Sequence, residues 1–143
     1  MKQEIIKFIE INRICVLATQ RKDLSPHGAT VHFAFSEKLN AFYVLTDSNY
    51  NKCELLNIAN SCNASMVIGF DERDMRTIQF DGTAYLLSDN ESIQETKEIY
   101  FKKFPEKKKW ENEINNAWIK FIPNWYQWSN YNIEPNEKVS ENL

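Results

Sequence analysis

The sequence predicts a mainly β, α+β fold: a closed or half-open antiparallel barrel of about six strands with helices attached. Three observations carry this. Short runs of β-branched and aromatic residues recur between turn signals, at residues 14–19, 29–35, 41–46, 64–70, 76–87, 117–122 and 125–128. Helical periodicity is confined to the amino terminus and two crossings. Strand and helix do not alternate regularly enough for a βαβ fold, and the helices are too few for a bundle.

In residues 2–13, Ile5, Phe8, Ile9 and Asn12 fall at helical spacing among Lys and Glu, which predicts an amphipathic helix closing a core. Residues 14–19, I-C-V-L-A-T, show no polar alternation, as expected of a central strand covered on both faces. Residues 29–35 and 41–46 flank a polar loop of hairpin length, so these strands are expected to pair. Asp47, Ser48 and Asn49 offer capping side chains to a short helix over 52–60. Residues 64–70 read as the next strand. In the long strand 76–87, Ile78, Phe80, Ala84 and Leu86 share one face, Thr77, Gln79, Asp81 and Thr83 the other, and Gly82 marks a bulge or bend. The signature S-D-N-E at 88–91 starts a helix that runs toward Pro105, with one face carried by Ile93, Thr96 or Lys97, and Tyr100 or Phe101. Two closing strands hinge at Pro123, and a tail over 132–143 reads as irregular.

A chain of 143 residues suits one domain spanning 1–143. The three glycines, Gly28, Gly69 and Gly82, are isolated, which excludes dinucleotide fingerprints and phosphate-binding P-loops. A net charge of −3 offers no basic field for nucleic acid. No apolar run spans a bilayer, and Glu4 and Glu10 interrupt any secretory h-region, so no membrane partner and a cytoplasmic location are expected. Cys15, Cys53 and Cys62 are widely spaced without a C-x-x-C pair, as reduced thiols are. His27 and His32, five apart on one strand, fall on opposite faces and cannot jointly hold a metal. No nucleophile elbow or triad is visible. The lysine run Lys102, Lys103, Lys107, Lys108 and Lys109 reads as a solvated helix face and loop. A chain without chemical apparatus of its own but rich in aromatics is what a cofactor-dependent protein looks like.

The order P-H-G-A-T-V-H-F-A-F, A-F-Y-V-L-T, D-S-N-Y-N-K-C-E-L-L and R-T-I-Q-F-D-G-T-A, followed by F-K-K-F-P and F-I-P-N-W-Y-Q-W-S-N-Y, resembles the pyridoxamine 5'-phosphate oxidase-like, FMN-binding split-barrel families. The resemblance implies a split barrel and a homodimer with two cofactor sites at its interface. It also implies that the strand carrying Thr30, Val31, His32 and Phe33 lies along the flavin, with Leu45 and Thr46 beside it. Lys52 matches the lysine that binds the FMN phosphate, which suits a phosphate independently of the family, since an ammonium stabilises a dianion.

Departures from the family pattern bear on activity. Thr30 stands where the true oxidase has an arginine, Phe35 where it has a lysine, Asn51 where a second phosphate-binding arginine is usual, and Thr77 where a glutamine meets the ring. Each lost charge-assisted bond is worth ~1.5 to 3 kcal/mol, so pyridoxine phosphate oxidation is not expected. Arg76 either replaces a lost phosphate ligand or is an edge charge, and Gln79 either reaches the flavin or faces solvent. Trp125 and Trp128, with Tyr126 and Tyr131, form a terminal aromatic cluster that in such dimers reaches the partner's flavin. The function implied is an FMN-dependent oxidoreductase acting on a small molecule, with His32 and Tyr50 as acid/base candidates. The alternatives are a flavin-, deazaflavin- or haem-binding carrier, or a dimeric barrel without cofactor.

Overall fold

The computed structural model describes residues 1–143. Helix α1 (Gln3–Ile11) precedes a hairpin of β1 (Ile14–Gln20) and β2 (Pro26–His32), followed by β3 (Ala34–Ser36), β4 (Ala41–Asp47), a 3-10 turn (Asn51–Cys53) and α2 (Glu54–Ala59). Then come β5 (Ser61–Ile68), β6 (Arg76–Leu86), α3 (Asn90–Lys103), a 3-10 segment (Pro105–Trp110), β7 (Asn116–Asn130) and β8 (Glu137–Asn142). The strands join in the order β2-β1-β5-β6-β7-β4-β3, every pairing antiparallel, with β8 added to β7.

The two ends of that path, β2 and β3, are separated in sequence by Phe33 alone. The sheet therefore returns on itself, and with β2 and β3 counted as one bent strand it is a six-stranded split barrel with attached helices. Residues 29–35 do not pair with 41–46 as a unit. The stretch before Phe33 pairs with β1 (Cys15 opposite Val31), and only Ala34–Ser36 pairs with β4 (Phe35 opposite Phe42). β1 is flanked by β2 and β5, but only one of its faces is fully buried.

The interior is filled by alternate residues of the barrel strands. Phe42 is central, its ring centroid 4.7 Å from Phe35, 4.9 Å from Phe80, 5.8 Å from Phe33 and 6.0 Å from Phe121. Helix α1 buries Ile5, Ile6, Phe8 and Ile9, with Phe8 edge-on to Trp128 at 5.0 Å. Gly69, at φ +82, makes room for that ring, since a Cβ there would lie 2.5 Å from Phe8 Cζ. Outside the barrel, Tyr100, Phe101 and Phe104 of α3 and its exit pack on Ala34 and Trp118. Asp89 caps α3 by accepting from Ser92 N at 2.8 Å.

Two further expectations are revised. Residues 116–130 form one strand instead of two hinged at Pro123. The register slips once opposite Gly82, where a Cβ would meet the Ile122 carbonyl at 2.2 Å, so the bulge expected at this glycine absorbs the bend. The tail is not irregular throughout, because β8 pairs with residues 125–130. Buried aromatic donors hold it: Trp128 Nε1 donates to Glu137 Oε2 at 3.0 Å and Tyr126 OH to Glu141 Oε2 at 2.7 Å. Lys2 Nζ donates to Glu137 Oε1 at 2.5 Å.

Those partners, Lys2 first and Trp128 second, hold the Glu137 carboxyl below its ordinary value of 4.5. A depressed carboxylate contributes stability above its unfolded pKa and loses it as pH falls through the folded one. Hydrogen exchange, corrected for intrinsic rate, is expected to show β8 losing protection below pH 4.5 while β6 remains protected. Simultaneous loss in both strands would contradict this account.

Candidate functional site

The split in the barrel follows from the bend at Phe33. β2 ends the sheet path, so one of its edges carries no ladder, and β4 beyond Tyr43 has no β3 partner on its corresponding edge. The two strands adjoin without pairing. At this gap lies a pocket of about 520 Å³. Thr30, Val31 and His32 form one wall and Leu45, Thr46 and Asp47 the other, with Tyr50 and Lys52 from the turn that follows β4. A further wall comes from Tyr100 of α3, Lys107 and Trp110 of the connection after it, and Asn116 at the start of β7.

Lys52 is the most distinctive group here. It is 7% exposed, yet its ammonium forms no carboxylate ion pair. It donates to Thr46 Oγ1 at 3.2 Å and lies 4.3 Å from the centroid of the Tyr50 ring. Burial lowers its pKa, partly opposed by Cys53 and Asp47. Its backbone is anchored from the barrel, where buried Thr19 donates its hydroxyl to the Lys52 carbonyl at 2.8 Å. The capping expectation is corrected: Asp47 Oδ1 accepts from Asn49 N at 2.8 Å in a local turn, and neither the 3-10 turn nor the six-residue α2 has a side-chain cap. An anion at this end of the pocket would meet the ammonium itself, not a long helix's dipole.

His32 is half-buried with its ring edge-on to Phe104 at 5.5 Å. Burial, then the charges of Lys107 and Arg13, lower its pKa, opposed by Glu106, which favours the neutral imidazole. Lys107 and Lys109 flank the Trp110 ring at 5.4 and 4.5 Å. The loop is tied across the gap by Ser48 N donating to the Asn115 carbonyl at 2.8 Å.

Of the residues singled out in the sequence, Thr30, Val31, His32, Leu45, Thr46, Tyr50 and Lys52 meet around this pocket. Phe33 does not line it: its side chain is in the core and its N–H is given to the Arg13 carbonyl at 3.2 Å. Phe35 is half-buried against Phe42, and Asn51 is exposed beside the pocket's lysine without lining it. Thr77 donates to the Ile68 carbonyl at 3.2 Å, and Gln79 is exposed on the outside of β6. Arg76 is engaged by Asp74 at 2.5 and 3.0 Å and lies over the Phe8 ring, away from Lys52. Trp125 is half-buried on β7, whereas Trp128 is a core residue, 1% exposed, with no ring face to offer. Tyr100 and Lys107 read in the sequence as a helix face and a solvated lysine run, and Trp110 and Asn116 carry no motif, because only the packing of α3 and the path of the chain after it bring these residues to the gap. The three cysteines are buried and free, and no cluster of His, Cys, Asp and Glu is placed to hold a metal. No helix is long and apolar enough to cross a membrane.

The family model described as pyridoxamine 5'-phosphate oxidase matches residues 1–128. No curated protein matches the chain significantly. Among solved structures, the chain is similar to a haem binding protein from Mycobacterium smegmatis at 13% identity and a TM-score of 0.75, covering 94% of this chain and 55% of that one. It thus spans little more than half the length of that protein. It is also similar to a Clostridium acetobutylicum protein related to general stress protein 26 of B. subtilis and described as of the pyridoxinephosphate oxidase family. Here identity is 16%, the TM-score 0.70, and coverage 98% of this chain and 92% of that one. HutZ, the haem storage protein from Vibrio cholerae, gives 16% identity and a TM-score of 0.70, covering 85% of this chain and 89% of its own. At such identities the likeness is one of fold.

Removing the anchor beneath Lys52 tests the geometry of the turn. Thr19→Val is expected to lower stability by about 1 to 3 kcal/mol, measured by urea unfolding, because it strands a buried carbonyl. A neutral result would mean that the turn does not depend on β1.

Proposed function

The chain belongs to the pyridoxamine 5'-phosphate oxidase family, and on that premise we propose that the pocket at the split takes flavin mononucleotide, with its phosphate on Lys52. We infer that the protein is an oxidoreductase acting on a small molecule. The observation that carries the reading is the buried Lys52 ammonium without a carboxylate partner at the end of a pocket of about 520 Å³. A volume of this size suits a cofactor, and a phosphate would complete the missing ion pair.

When bound, the flavin supplies hydride or electron transfer. The protein's part is to bind, orient and shield. Lys52 holds the anionic end and Thr46 orients the ammonium. On the free edge of β2 the backbone N–H and C=O groups of Thr30 and His32 point away from β1, while those of Val31 pair with Cys15, so Thr30 and His32 would meet the hydrogen-bonding edge of a planar heteroaromatic ring. Leu45 and Tyr100 supply apolar surface. His32 presents a neutral imidazole nitrogen able to accept a proton from a second molecule in the pocket. Trp125, Thr77 and Gln79 lie outside the pocket of a single chain, so any contact from them requires a second copy. The proposal accordingly includes a homodimer with its sites at the interface. With Thr30, Phe35 and Asn51 in place of the family's cations, phosphate binding rests heavily on Lys52, and the substrate differs from pyridoxine phosphate.

A second reading, that the same pocket carries haem for storage or delivery, is favoured by His32. A neutral, half-buried imidazole is a competent iron ligand, and similar folds include a haem binding protein and a haem storage protein.

Titration of the purified protein with FMN, followed by quenching of flavin fluorescence, separates these readings. Lys52→Ala is expected to weaken FMN about 10- to 150-fold, the equivalent of ~1.5 to 3 kcal/mol. Unchanged affinity would overturn the phosphate assignment. A haem absorption band that shifts in His32→Ala, in protein that ignores FMN, would select the second reading.

A further inference from the structure

Lys103 stands apart from the exposed lysines around it, Lys102, Lys108 and Lys109. It closes α3 inside a run that reads as solvated, yet it is half-buried and lines a pocket of about 430 Å³ formed by α1, β3 and α3. This pocket shares no lining residue with the one at the split. The Lys103 ammonium donates to the Asn12 carbonyl at 2.5 Å and lies over the face of Phe33, 4.2 Å from the ring centroid. It forms no ion pair with any carboxylate. The other walls are Ala34, Phe35 and Ile99, which are apolar, Ser36, and the charged groups Glu10 from α1 and Lys102 from α3.

We propose that Lys103 is a covalent capture site for small aldehydes that carry a negative charge. The Nζ lone pair attacks the carbonyl carbon, the carbonyl oxygen takes up protons and leaves as water, and an imine joins Lys103 to the aldehyde carbon. One aldehyde and one amine give one imine and one water, with no oxidant or reductant. Ala34, Phe35 and Ile99 give the adduct apolar surface to lie against, and the Phe33 ring lies beneath Nζ. An anionic substituent would be met by the exposed Lys102 ammonium on the pocket wall, across from the single Glu10 carboxylate.

The electrostatics of the surroundings support a free amine. Burial first, then the positive charge of Arg13 at the α1–β1 junction, bring the Lys103 pKa down to about 8, opposed by Cys15 of β1 and Glu10 of α1. An exposed lysine titrates near 10.4, so at neutral pH the unprotonated fraction of Lys103 is on the order of 100-fold larger. A solvated lysine has neither this advantage nor a pocket to hold its adduct.

The test uses the full chain at pH 7 with glyoxylate as the anionic probe and propionaldehyde as the neutral one. Cyanoborohydride traps the imine as a stable amine, and peptide mass spectrometry locates it. The expected result is a dominant adduct on Lys103, formed at least about 10 times faster than on any other lysine. Glyoxylate should outpace propionaldehyde, and Lys102→Gln should remove that preference. Lys103→Arg, which keeps the positive charge and a donor for Asn12, should abolish the dominant adduct while leaving the circular dichroism unchanged. The wild-type map stands without any variant: adducts spread over exposed lysines such as Lys38, Lys108 and Lys138 with Lys103 unlabelled would overturn the proposal. Equal rates for the two probes would overturn its anionic specificity.

Discussion

The change of partner at Phe33 is the constraint on which the rest of the molecule depends. A strand that left β1 and paired with β4 along its whole length would seal the barrel and satisfy every edge. Here Phe33 is sunk into the core and gives its N–H to Arg13, so that the residues before it pair with β1 and those after it with β4. Closure is achieved covalently, through one residue, while a stretch of hydrogen-bonding edge on each side stays unpaired. Unpaired backbone at a partly buried gap is costly in a folded protein unless water or a ligand meets it. The proposed cofactor would meet this unpaired edge.

The turn after β4 adds charge to that gap. Burying an ammonium without a paired counter-ion is unfavourable, and the protein offsets it in part with a hydroxyl, an aromatic face and the more distant charge of Asp47. The arrangement is held from beneath by Thr19, a residue of β1 that never touches the pocket. A group with an anionic end relieves the imbalance, and this is why the flavin reading turns on one side chain. The same pocket presents a neutral imidazole a strand away, so one barrel offers chemically different footholds.

The second pocket illustrates how a helix face can depart from its composition. Lys102 and Lys103 are adjacent in a cationic run, and in an isolated helix both would be solvated. Packing of α3 between α1 and β3 leaves Lys102 exposed and turns Lys103 onto Phe33 and the Asn12 carbonyl. The two neighbours therefore differ in desolvation, which lowers the pKa of Lys103.

By itself the sequence determined the barrel class, nearly every element, the opening helix as a core plug, the bulge at Gly82, and the grouping of Thr30, Val31, His32, Leu45, Thr46 and Lys52. The grouping of site residues came from the resemblance of the ordered motifs to a known family, and the rest are written in short-range periodicity and turn chemistry, which act over a few residues at a time. Tertiary structure alone decided that residues 29–35 serve two partners, that 116–130 is a single strand, and that the polar tail contributes β8. It alone decided that Trp128 and Phe33 belong to the core, that Tyr100 and Lys107 belong to the pocket, and that Lys103 is half-buried. Those outcomes depend on which distant segment covers a given face, and the burial and desolvation that follow come from contacts between segments that local pattern does not encode.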